Sequence, residues 1–445
     1  MDRKQYSPTL VRAVSLAAVL MLTFTVAAQT EKTIHPFNGI NHIDGSGPEG
    51  NVVADSAGNL YGTAFGSGSA GVGIVYKLSR PVPPSGTWTE SILHAFTGPD
   101  GANPAGGLIF DSAGNLYGTT AYGGNGPCTV LAVVIGCGVV FELSPPATSG
   151  GSWTESVLYN FQFGSDSGGS RAPLIFDSAG NLYGTTSGQG FDSAFADPGA
   201  VFQLGPPPLP GGAWTETTIL SFPAFLLGAN PFAPVAFDAS GNLYGTTFFG
   251  GDRGCTATSL GCGVIFQLAP PSLPGGSWTE TVLHTFAGKR HDGSNPVGGV
   301  AITPSGALFG TTSTGSTFGG GTVFAMQPPS SLGGAWTYAN IYAFGGTGDG
   351  VASRAAVTFG LGRTLYGTTS RGGTLDDGTV FRLTPPISPG SPWTETILHS
   401  FQYSTTNHTD GNIPYGGVIV YKGALVGTTL GGGSKNSGTV YSLFP

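Results

Sequence analysis

The chain has 445 residues, of which 39% are apolar and 9% are charged, and its formal net charge is −8. This length and apolar share allow a sizeable buried core, and the negative balance argues against a nucleic-acid partner. The 77 glycines and 33 prolines would indicate low complexity if they were unpatterned, but they recur at fixed positions between apolar runs. A disordered chain is therefore excluded.

The N-terminal segment has the pattern of a secretory signal. Arg3, Lys4 and Arg12 precede an apolar run over residues 14–26, and small residues follow before Gln29. We predict a signal peptide at residues 1–28 and a single mature domain at residues 29–445. An uncleaved membrane anchor is the alternative, but the run is short for a span. The mature protein is expected to be secreted, either periplasmic or extracellular, with no transmembrane segment.

The mature chain repeats one motif seven times. Its core, Tyr-Gly-Thr, starts at Tyr61, Tyr117, Tyr183, Tyr244 and Tyr366, and variant copies start at Phe309 and Val426. The period is about sixty residues, and each copy holds four short strand-like runs separated by turn residues. This pattern predicts an all-β fold, a seven-bladed β-propeller of four-stranded antiparallel blades.

The second copy shows the predicted strands most clearly. An apolar run at 107–110 reaches an Asp-Ser-Ala-Gly-Asn turn, which leads into residues 116–120, so these runs form strands a and b. Residues 138–143 form strand c, which ends before two prolines because proline donates no ladder hydrogen bond. Residues 153–161 form strand d, along which we expect an uninterrupted two-residue alternation.

The ring is expected to close through its N-terminal strand. Strand d recurs with a tryptophan six times, whereas strand b recurs seven times, and the last copy ends after strand c at Leu443. The segment from Thr33 to Phe37 resembles strand d of the other copies. We therefore predict that it pairs with the C-terminal blade, which removes exposed sheet edges.

Four cysteines occupy equivalent loops of two copies. Cys128 and Cys137 lie between strands b and c of copy two, and Cys255 and Cys262 lie in the same loop of copy four. We predict two local disulfides, each clamping one loop. Zinc binding is the competing interpretation, but the spacings match no Cys-x-x-Cys pattern.

The Gly-Asn-Leu-Tyr-Gly-Thr-Thr and Gly-Thr-Val-Phe strings resemble the GloVer tandem repeat of secreted bacterial proteins, and the resemblance covers essentially the whole mature chain. Members often carry a C-terminal sorting anchor, whereas this chain ends directly after strand c, so the resemblance favours simple secretion here. The family implies no catalytic residue. The Asp-x-x-Gly-Asn-Leu-Tyr hairpin is also similar to NHL-type propellers, a likeness that supports the fold only.

Three repeated sets of titratable residues favour structural roles. An aspartate begins each Asp-x-x-Gly-Asn turn, where its carboxylate can accept backbone N–H groups. A glutamate follows most strand-d tryptophans and is expected to be solvated or paired within the ladder. A later strand-d position alternates between histidine and tyrosine, which favours packing over catalysis. These sets are Asp55, Asp111, Asp177 and Asp238; Glu90, Glu155, Glu216, Glu280 and Glu395; and His35, His94, His284, His399 and Tyr159.

The remaining charges concentrate in the d-to-a and b-to-c loops, which are expected to emerge on one face of the ring. Aromatic residues lie in the same loops, and loops on a rigid scaffold commonly carry binding sites. The alternative is that these loops are polar only because they meet water. As candidate ligand-binding residues we name Arg171, Arg253, Arg290, Arg354, Arg371, His291, Asp292, Asp349, Tyr122 and Phe249.

Linear signatures of enzymes are missing from the sequence. It contains no Gly-x-Ser-x-Gly, no His-Glu-x-x-His and no phosphate-binding loop, and no catalytic residue is assigned. Several Asp-Gly turns could attract calcium, yet no Asp-x-Asp-x-Asp-Gly loop exists, so neither metal nor cofactor is expected.

The sequence therefore favours a secreted, monomeric binding module whose ligand is an extracellular carbohydrate or protein. One alternative is an extracellular polysaccharide lyase or hydrolase with a rim-loop active site, since a propeller can assemble a site without a linear motif. The other is a structural component of the envelope or matrix.

Overall fold

The computed structural model describes residues 31–39, 44–82, 86–130, 133–148, 150–164, 166–188, 197–209, 211–223, 227–251, 254–255, 260–273, 275–289, 292–331, 333–388, 390–404 and 408–445. Within these ranges the regular elements are β-strands, apart from one 3-10 turn at Leu361–Arg363. The predicted signal peptide lies outside the described residues. No helix in the described part of the chain is long and apolar enough to span a membrane.

Seven four-stranded antiparallel sheets form a seven-bladed β-propeller, as the repeat predicts. Strands a to d are Val53–Ala54, Leu60–Ala64, Ile74–Ser79 and Thr89–Ala95 in blade 1; Ile109–Phe110, Leu116–Thr119, Val139–Ser144 and Thr154–Asn160 in blade 2; Ile175–Phe176, Leu182–Thr186, Ala200–Gly205 and Thr215–Ser221 in blade 3; and Ala236–Phe237, Leu243–Thr247, Val264–Ala269 and Thr279–Thr285 in blade 4. They are Ala301–Ile302, Leu308–Thr312, Thr322–Gln327 and Thr337–Ala343 in blade 5; and Thr358–Phe359, Leu365–Thr369, Thr379–Thr384 and Thr394–Ser400 in blade 6. Blade 7 contains Ile419–Tyr421, Ala424–Thr429 and Thr439–Leu443 as strands a to c.

The N-terminal strand completes blade 7 and confirms the predicted closure. Lys32–Pro36 pairs antiparallel with Thr439–Leu443, and Thr33 lies opposite Tyr441. Phe37 follows this strand and is fully buried. The first and last segments of the described chain are therefore neighbours in one sheet, and the outer edge of the last strand c is covered.

Strand d departs from the predicted alternation at one position in every blade. In blade 2 the register jumps from Val140 opposite Tyr159 to Phe141 opposite Val157, so Leu158 is an extra residue in a β-bulge. The other six blades show the same shift at the equivalent position. The bulge residue packs against the hydrophobic core between blades, as Leu158 and Leu93 do. Burial of this aliphatic side chain overrides the strict period of two.

The repeated Tyr-Gly-Thr core has a separate physical reason at each position. Each of the four tyrosines that follow an Asp-x-x-Gly-Asn turn donates its hydroxyl to the aspartate of that turn, at 3.0–3.3 Å, which confirms the structural role of these aspartates. The glycine lies under an aromatic ring of strand c, and a Cβ on Gly184 would come within 2.6 Å of Phe202. The threonine bonds the next blade, as described below.

Seven phenylalanines form a second repeated contact between blades. Each follows strand d, is buried, and packs edge-on or tilted against the strand-c aromatic ring of the next blade, with ring centroids 5.0–5.5 Å apart. These residues are Phe37, Phe96, Phe161, Phe222, Phe286, Phe344 and Phe401. The first of them, on the closing strand, contacts Tyr76 as the others contact their neighbours. The ring is thus joined by the same apolar contact at all seven interfaces.

The d-to-a and b-to-c loops emerge on one face, as the sequence predicts. Short two-stranded ladders connect them at several blades: Gly45–Ser46 with Gly66–Ser67, Gly293–Ser294 with Thr314–Gly315, Gly350–Val351 with Arg371–Gly372, and Gly411–Asn412 with Gly431–Gly432. A further ladder, Thr129–Val130 with Val133–Val134, lies inside one b-to-c loop. We call this loop-bearing side the loop face.

Candidate functional site

The inner end of each d-to-a loop brings one residue close to the propeller axis on the loop face. Each residue lies directly before the two small residues that lead into strand a. In blade order these axial residues are Glu49, Ala105, Arg171, Phe232, Val297, Arg354 and Tyr415, and all seven line one pocket. The surrounding sequence repeats from blade to blade, but the axial residues themselves do not.

A ring of threonine hydrogen bonds holds the backbone behind these residues. The threonine of each Tyr-Gly-Thr core donates its hydroxyl to the carbonyl of the residue that follows the axial residue of the next blade. The seven bonds are Thr63 to Gly106, Thr119 to Ala172, Thr185 to Ala233, Thr246 to Gly298, Thr311 to Ala355, Thr368 to Gly416 and Thr428 to Gly50, at 2.8–3.1 Å. Each axial side chain is therefore mounted on a backbone fixed by two blades.

The pocket has a volume of about 430 Å³, within the range typical of small-molecule sites. Its polar sector contains Glu49 in blade 1, with Arg171 and Arg354 each two blades away, on opposite sides. Phe232 and Val297 occupy the blades between the two arginines on the far side and, with Phe248, form an apolar sector. The arrangement can pair with a charged group on one side and cover an apolar surface on the other.

Arg171 is held at the pocket by aromatic side chains. One guanidinium nitrogen donates to the Tyr122 hydroxyl at 3.2 Å. The guanidinium carbon lies 5.8 Å from the Tyr122 ring centroid and 6.0 Å from that of Phe65, within cation–π range. These contacts orient the side chain and leave its charge uncompensated by any described carboxylate within 4 Å.

Arg354 is oriented by two different neighbours. Its Nε donates to the Ser370 hydroxyl at 3.1 Å, and its guanidinium carbon lies 4.6 Å from the Tyr415 ring centroid. Among the described residues, no carboxylate lies within 4 Å of this guanidinium either. Both axial arginines are thus positioned by neutral partners, and their remaining N–H groups can serve a ligand.

Glu49 is the one carboxylate that lines the pocket among the described residues. Its partial burial raises its pKa, and the positive charges of Arg171 and Arg354 oppose that rise. The pair of arginines therefore acts on Glu49 through space, without a direct ion pair. With Glu49 ionised, these three charged axial residues sum to one positive charge, although the whole chain is acidic.

The structure brings only some of the sequence-predicted residues together. Arg171 and Arg354 line the pocket, and Tyr122 supports Arg171. Phe249 packs edge-on against the pocket residue Phe248, with centroids 4.6 Å apart. Arg253, Arg290 and His291 lie outside the described residues.

The other three predicted residues take part in loop structure. Arg371 is 64% exposed and pairs with Asp376 at 2.6 Å. Asp292 accepts the backbone N–H groups of Ala287 and Gly293, and Asp349 accepts those of Gly345 and Gly350. None of these three residues lines the pocket. Their polar groups are engaged with neighbouring protein atoms.

Sequence reasoning missed Phe232 and Tyr415, and it counted Glu49 and Phe248 among the charged and aromatic loop residues without naming them as ligand-binding candidates. A signal for the axial residues was present in the repeat. Within the segment Pro-x-Gly-Gly and its variants, the position x changes from blade to blade while its neighbours recur. A position that varies inside an otherwise constant repeat is not required for the contacts that recur between blades.

A second set of titratable groups lies farther from the axis, between neighbouring blades. The strand-d histidine or tyrosine contacts the aspartate of the following d-to-a loop: His94 to Asp100 at 3.0 Å, His284 to Asp292 at 3.2 Å, His399 to Asp410 at 3.2 Å, Tyr159 to Asp166 at 2.8 Å and Tyr342 to Asp349 at 3.1 Å. The exchange of histidine for tyrosine therefore reflects one anchoring role, in which either ring bonds the loop aspartate.

The strand-d glutamates are not freely solvated, contrary to one of the two expected roles. They lie partly buried, and one carboxylate oxygen of Glu90, Glu155, Glu280 and Glu395 is buried without a hydrogen-bond partner among the described residues. Burial raises the pKa of Glu155 and of Glu280 to about 7. For Glu155 the nearby Asp100 raises it further. Protonation removes the cost of burying a charge.

Two of these inter-blade groups have ligand atoms close enough for a metal ion. They are His35, Asp44 and Glu90, and Glu31, His399 and Asp410, with ligand atoms within 4.8 Å of one another. In the second group the histidine and aspartate already bond each other, as they do in other blades. Loop anchoring therefore accounts for His399 and Asp410. In the first group His35 Nε2 lies 3.8 Å from Asp44 and 3.7 Å from Glu90, and it has no hydrogen-bond partner among the described residues. The expectation of no metal stays a prediction.

The two predicted disulfides are formed. Cys128 bonds Cys137, with Cα atoms 5.0 Å apart, and Cys255 bonds Cys262, with Cα atoms 5.7 Å apart. All four cysteines are buried. Each bridge closes a b-to-c loop on the loop face.

A sequence profile of the Gloeobacter/Verrucomicrobia repeat matches residues 17–255 and 254–445. The chain belongs to this repeat family. The match spans the seven blades and confirms the resemblance drawn from the Tyr-Gly-Thr motifs. No curated protein matches the chain.

Solved structures similar to this member of the Gloeobacter/Verrucomicrobia repeat family share little sequence with it. A protein of unknown function from Dyadobacter fermentans is 12% identical, with a TM-score of 0.43, over 93% of this chain and 98% of its own. A candidate 6-phosphogluconolactonase from Bacteroides uniformis is 13% identical, with a TM-score of 0.46, over 83% and 91%. A Hadza microbial sialidase is 13% identical, with a TM-score of 0.45, over 87% and 74%.

Proposed function

We propose that this protein is a secreted binding module for an extracellular carbohydrate or protein ligand, and that the ligand binds in the axial pocket. The observation that carries the proposal is the ring of seven axial positions, which hold six different residue types on a backbone that is otherwise repeated. A purely structural ring would need no such variety. Tyr122 and Phe249, in the loops around the pocket, form the outer margin of the proposed site.

Filling the pocket tests the site directly. Val297→Trp places a large side chain at an axial position, and two other axial positions already carry Phe232 and Tyr415, so the backbone accommodates an aromatic residue. Ile387→Trp is the matched control, because Ile387 is fully exposed in a c-to-d loop on the opposite face. Ligands are first identified for the parent protein on a glycan array and by pull-down.

We expect Val297→Trp to abolish binding and Ile387→Trp to preserve it, with both variants melting near the parent temperature. Equal binding by a folded Val297→Trp variant would exclude the axial pocket. Secretion is tested separately by N-terminal sequencing of the exported protein. The proposal expects it to begin at Gln29, and a cell-retained protein that keeps residues 1–28 would contradict it.

The convergence of Arg171 and Arg354 with Glu49 also favours a second candidate, a polysaccharide-cleaving enzyme at the same site. Hydrolysis by two carboxylates is not supported, because Glu49 is the one carboxylate lining the described pocket. Elimination is better matched, since the guanidinium groups can neutralise a sugar carboxylate while ionised Glu49 takes the proton from the carbon beside that carboxylate. A C=C bond then forms, the C–O bond to the departing sugar breaks, and the departing oxygen takes a proton from water. Ultraviolet absorbance of unsaturated products from acidic polysaccharides, absent in Glu49→Gln, would support the lyase.

A further inference from the structure

The charges of the axial pocket identify the chemical class of its ligand. Arg171 and Arg354 both line the pocket, and neither has a described carboxylate within 4 Å. Their contacts with Tyr122, Ser370 and the Tyr415 ring orient the guanidinium groups without neutralising them. Two unpaired guanidinium groups in a partly buried site favour an anion, which can accept paired hydrogen bonds from each.

The charge balance favours an anion that carries a single charge. Glu49 lies within electrostatic reach of both arginines, so the three side chains together carry one positive charge when Glu49 is ionised. A monoanionic group makes the occupied pocket neutral. A phosphate dianion would leave an excess negative charge beside Glu49 in a partly desolvated site, which is unfavourable.

The remaining lining favours a saccharide as the carrier of that anion. Glu49 and Asn51 offer oxygen acceptors for hydroxyl groups, and Phe232, Phe248 and Tyr415 offer aromatic surfaces for a ring face. The pocket of about 430 Å³ is lined by residues from all seven blades, and it has the concave form of a small-molecule site rather than that of a sheet edge that adds a peptide strand.

We propose that the axial pocket binds a saccharide bearing a monoanionic group, a carboxylate or a sulfate ester, which the guanidinium groups of Arg171 and Arg354 hold while Glu49 accepts hydrogen bonds from sugar hydroxyls. This inference rests on the proposed binding function and specifies its ligand. Carboxylate and sulfate share the required charge, and the experiment separates them.

Calorimetry measures binding of the secreted protein to four probes. These are hexuronate oligosaccharides, neutral-sugar oligosaccharides that carry sulfate esters, the same neutral-sugar oligosaccharides without sulfate, and an acidic peptide. We expect binding to one or both anionic saccharides, at least tenfold weaker binding to the neutral ones, and weakening as salt rises. Salt dependence needs no variant and therefore does not depend on mutant folding.

Substitutions then assign the charges. Arg171→Gln and Arg354→Gln are each expected to weaken binding of the anionic saccharide at least tenfold, and the double variant at least hundredfold. Arg363→Gln is the matched control, an exposed arginine in the 3-10 turn on the opposite face, and it should leave binding unchanged. Glu49→Gln should bind severalfold tighter, since it removes a negative charge while keeping an oxygen acceptor.

Three results would overturn the inference. The first is tighter binding of the acidic peptide than of the saccharides. The second is binding of the neutral saccharide that Val297→Trp abolishes but that Arg171→Gln and Arg354→Gln leave unchanged. Either result would keep the axial pocket as the binding site but would reject an anionic saccharide as its ligand. The third is unchanged binding of the anionic saccharide in the folded double arginine variant. Loss of the proposed function itself would look different, because Val297→Trp would then leave all binding intact.

Discussion

Two neighbouring rings of seven positions in this propeller differ in whether their residue type is repeated from blade to blade. The threonine ring, which bonds each blade to the next, has the same residue and the same acceptor at all seven interfaces. The axial ring, mounted on the acceptor backbone, has a different mixture of charge, size and aromaticity at nearly every position. Residues that join blades recur because every interface has the same geometry, whereas no contact between blades requires the axial side chains to be alike.

The largest expected effect tests whether the closing strand stabilises the ring as much as strand d of the other blades does. Phe37→Ala removes a fully buried ring from its contact with Tyr76, and we expect the free energy of unfolding to fall by about 3–5 kcal/mol. Phe96→Ala, at the equivalent position of a covalently continuous blade, should cost a similar amount. Denaturant unfolding measures both. A loss below about 1 kcal/mol for Phe37→Ala alone would show that closure is weaker than the other interfaces.

A smaller effect tests the close packing under the repeated glycine. Gly184→Ala places a methyl group within 2.6 Å of the Phe202 ring and 2.8 Å of Leu174, so we expect a loss of about 1–3 kcal/mol from overpacking. Gly86→Ala is the control, because no atom of the described residues beyond its chain neighbours lies within 4 Å of its added Cβ. That control should change stability by no more than about 0.5 kcal/mol. Equal melting of the two variants would contradict the packing argument. Neither should alter ligand binding in the folded protein.

The smallest effect concerns pH and the inter-blade carboxyl groups. Burial raises the pKa of Glu280 to about 7 in the folded protein, above its value of about 4.5 in an unfolded chain. A raised folded pKa stabilises the fold at acidic pH, and this contribution is lost as pH rises from about 4.5 through about 7. Glu280→Gln lacks this titrating group, so its melting temperature should fall less than that of the parent protein as pH rises from about 4.5 to about 7. A pH profile identical to that of the parent would show that Glu280 titrates normally.

Most of the fold could be predicted because its determinants are local and repeated. Seven Tyr-Gly-Thr cores indicated seven blades, and the match between Thr33 to Phe37 and the other d strands indicated the closing pair. The disulfides followed from equivalent loop positions of Cys128 and Cys255. The bulge at Leu158 was not predicted, because its position depends on core contacts between blades rather than on the local apolar pattern.

The candidate site was only partly predicted. Arg171 and Arg354 were selected as loop cations, but Arg371, selected on the same grounds, forms an exposed ion pair with Asp376. Composition could not separate these three arginines, since all lie in loops of the same face. What distinguishes them is distance from the axis and the identity of their neighbours, which are properties of the assembled ring.

The sequence by itself determined the number of blades, the order of strands, the ring closure and the cysteine pairing, since each follows from residue spacing within one repeat or from comparison between repeats. Only the tertiary structure decided that Glu49, Arg171 and Arg354 line one pocket. These residues are more than a hundred positions apart along the chain. Ring closure brings the starts of all seven a strands around one axis, so residues that are remote in sequence become neighbours there.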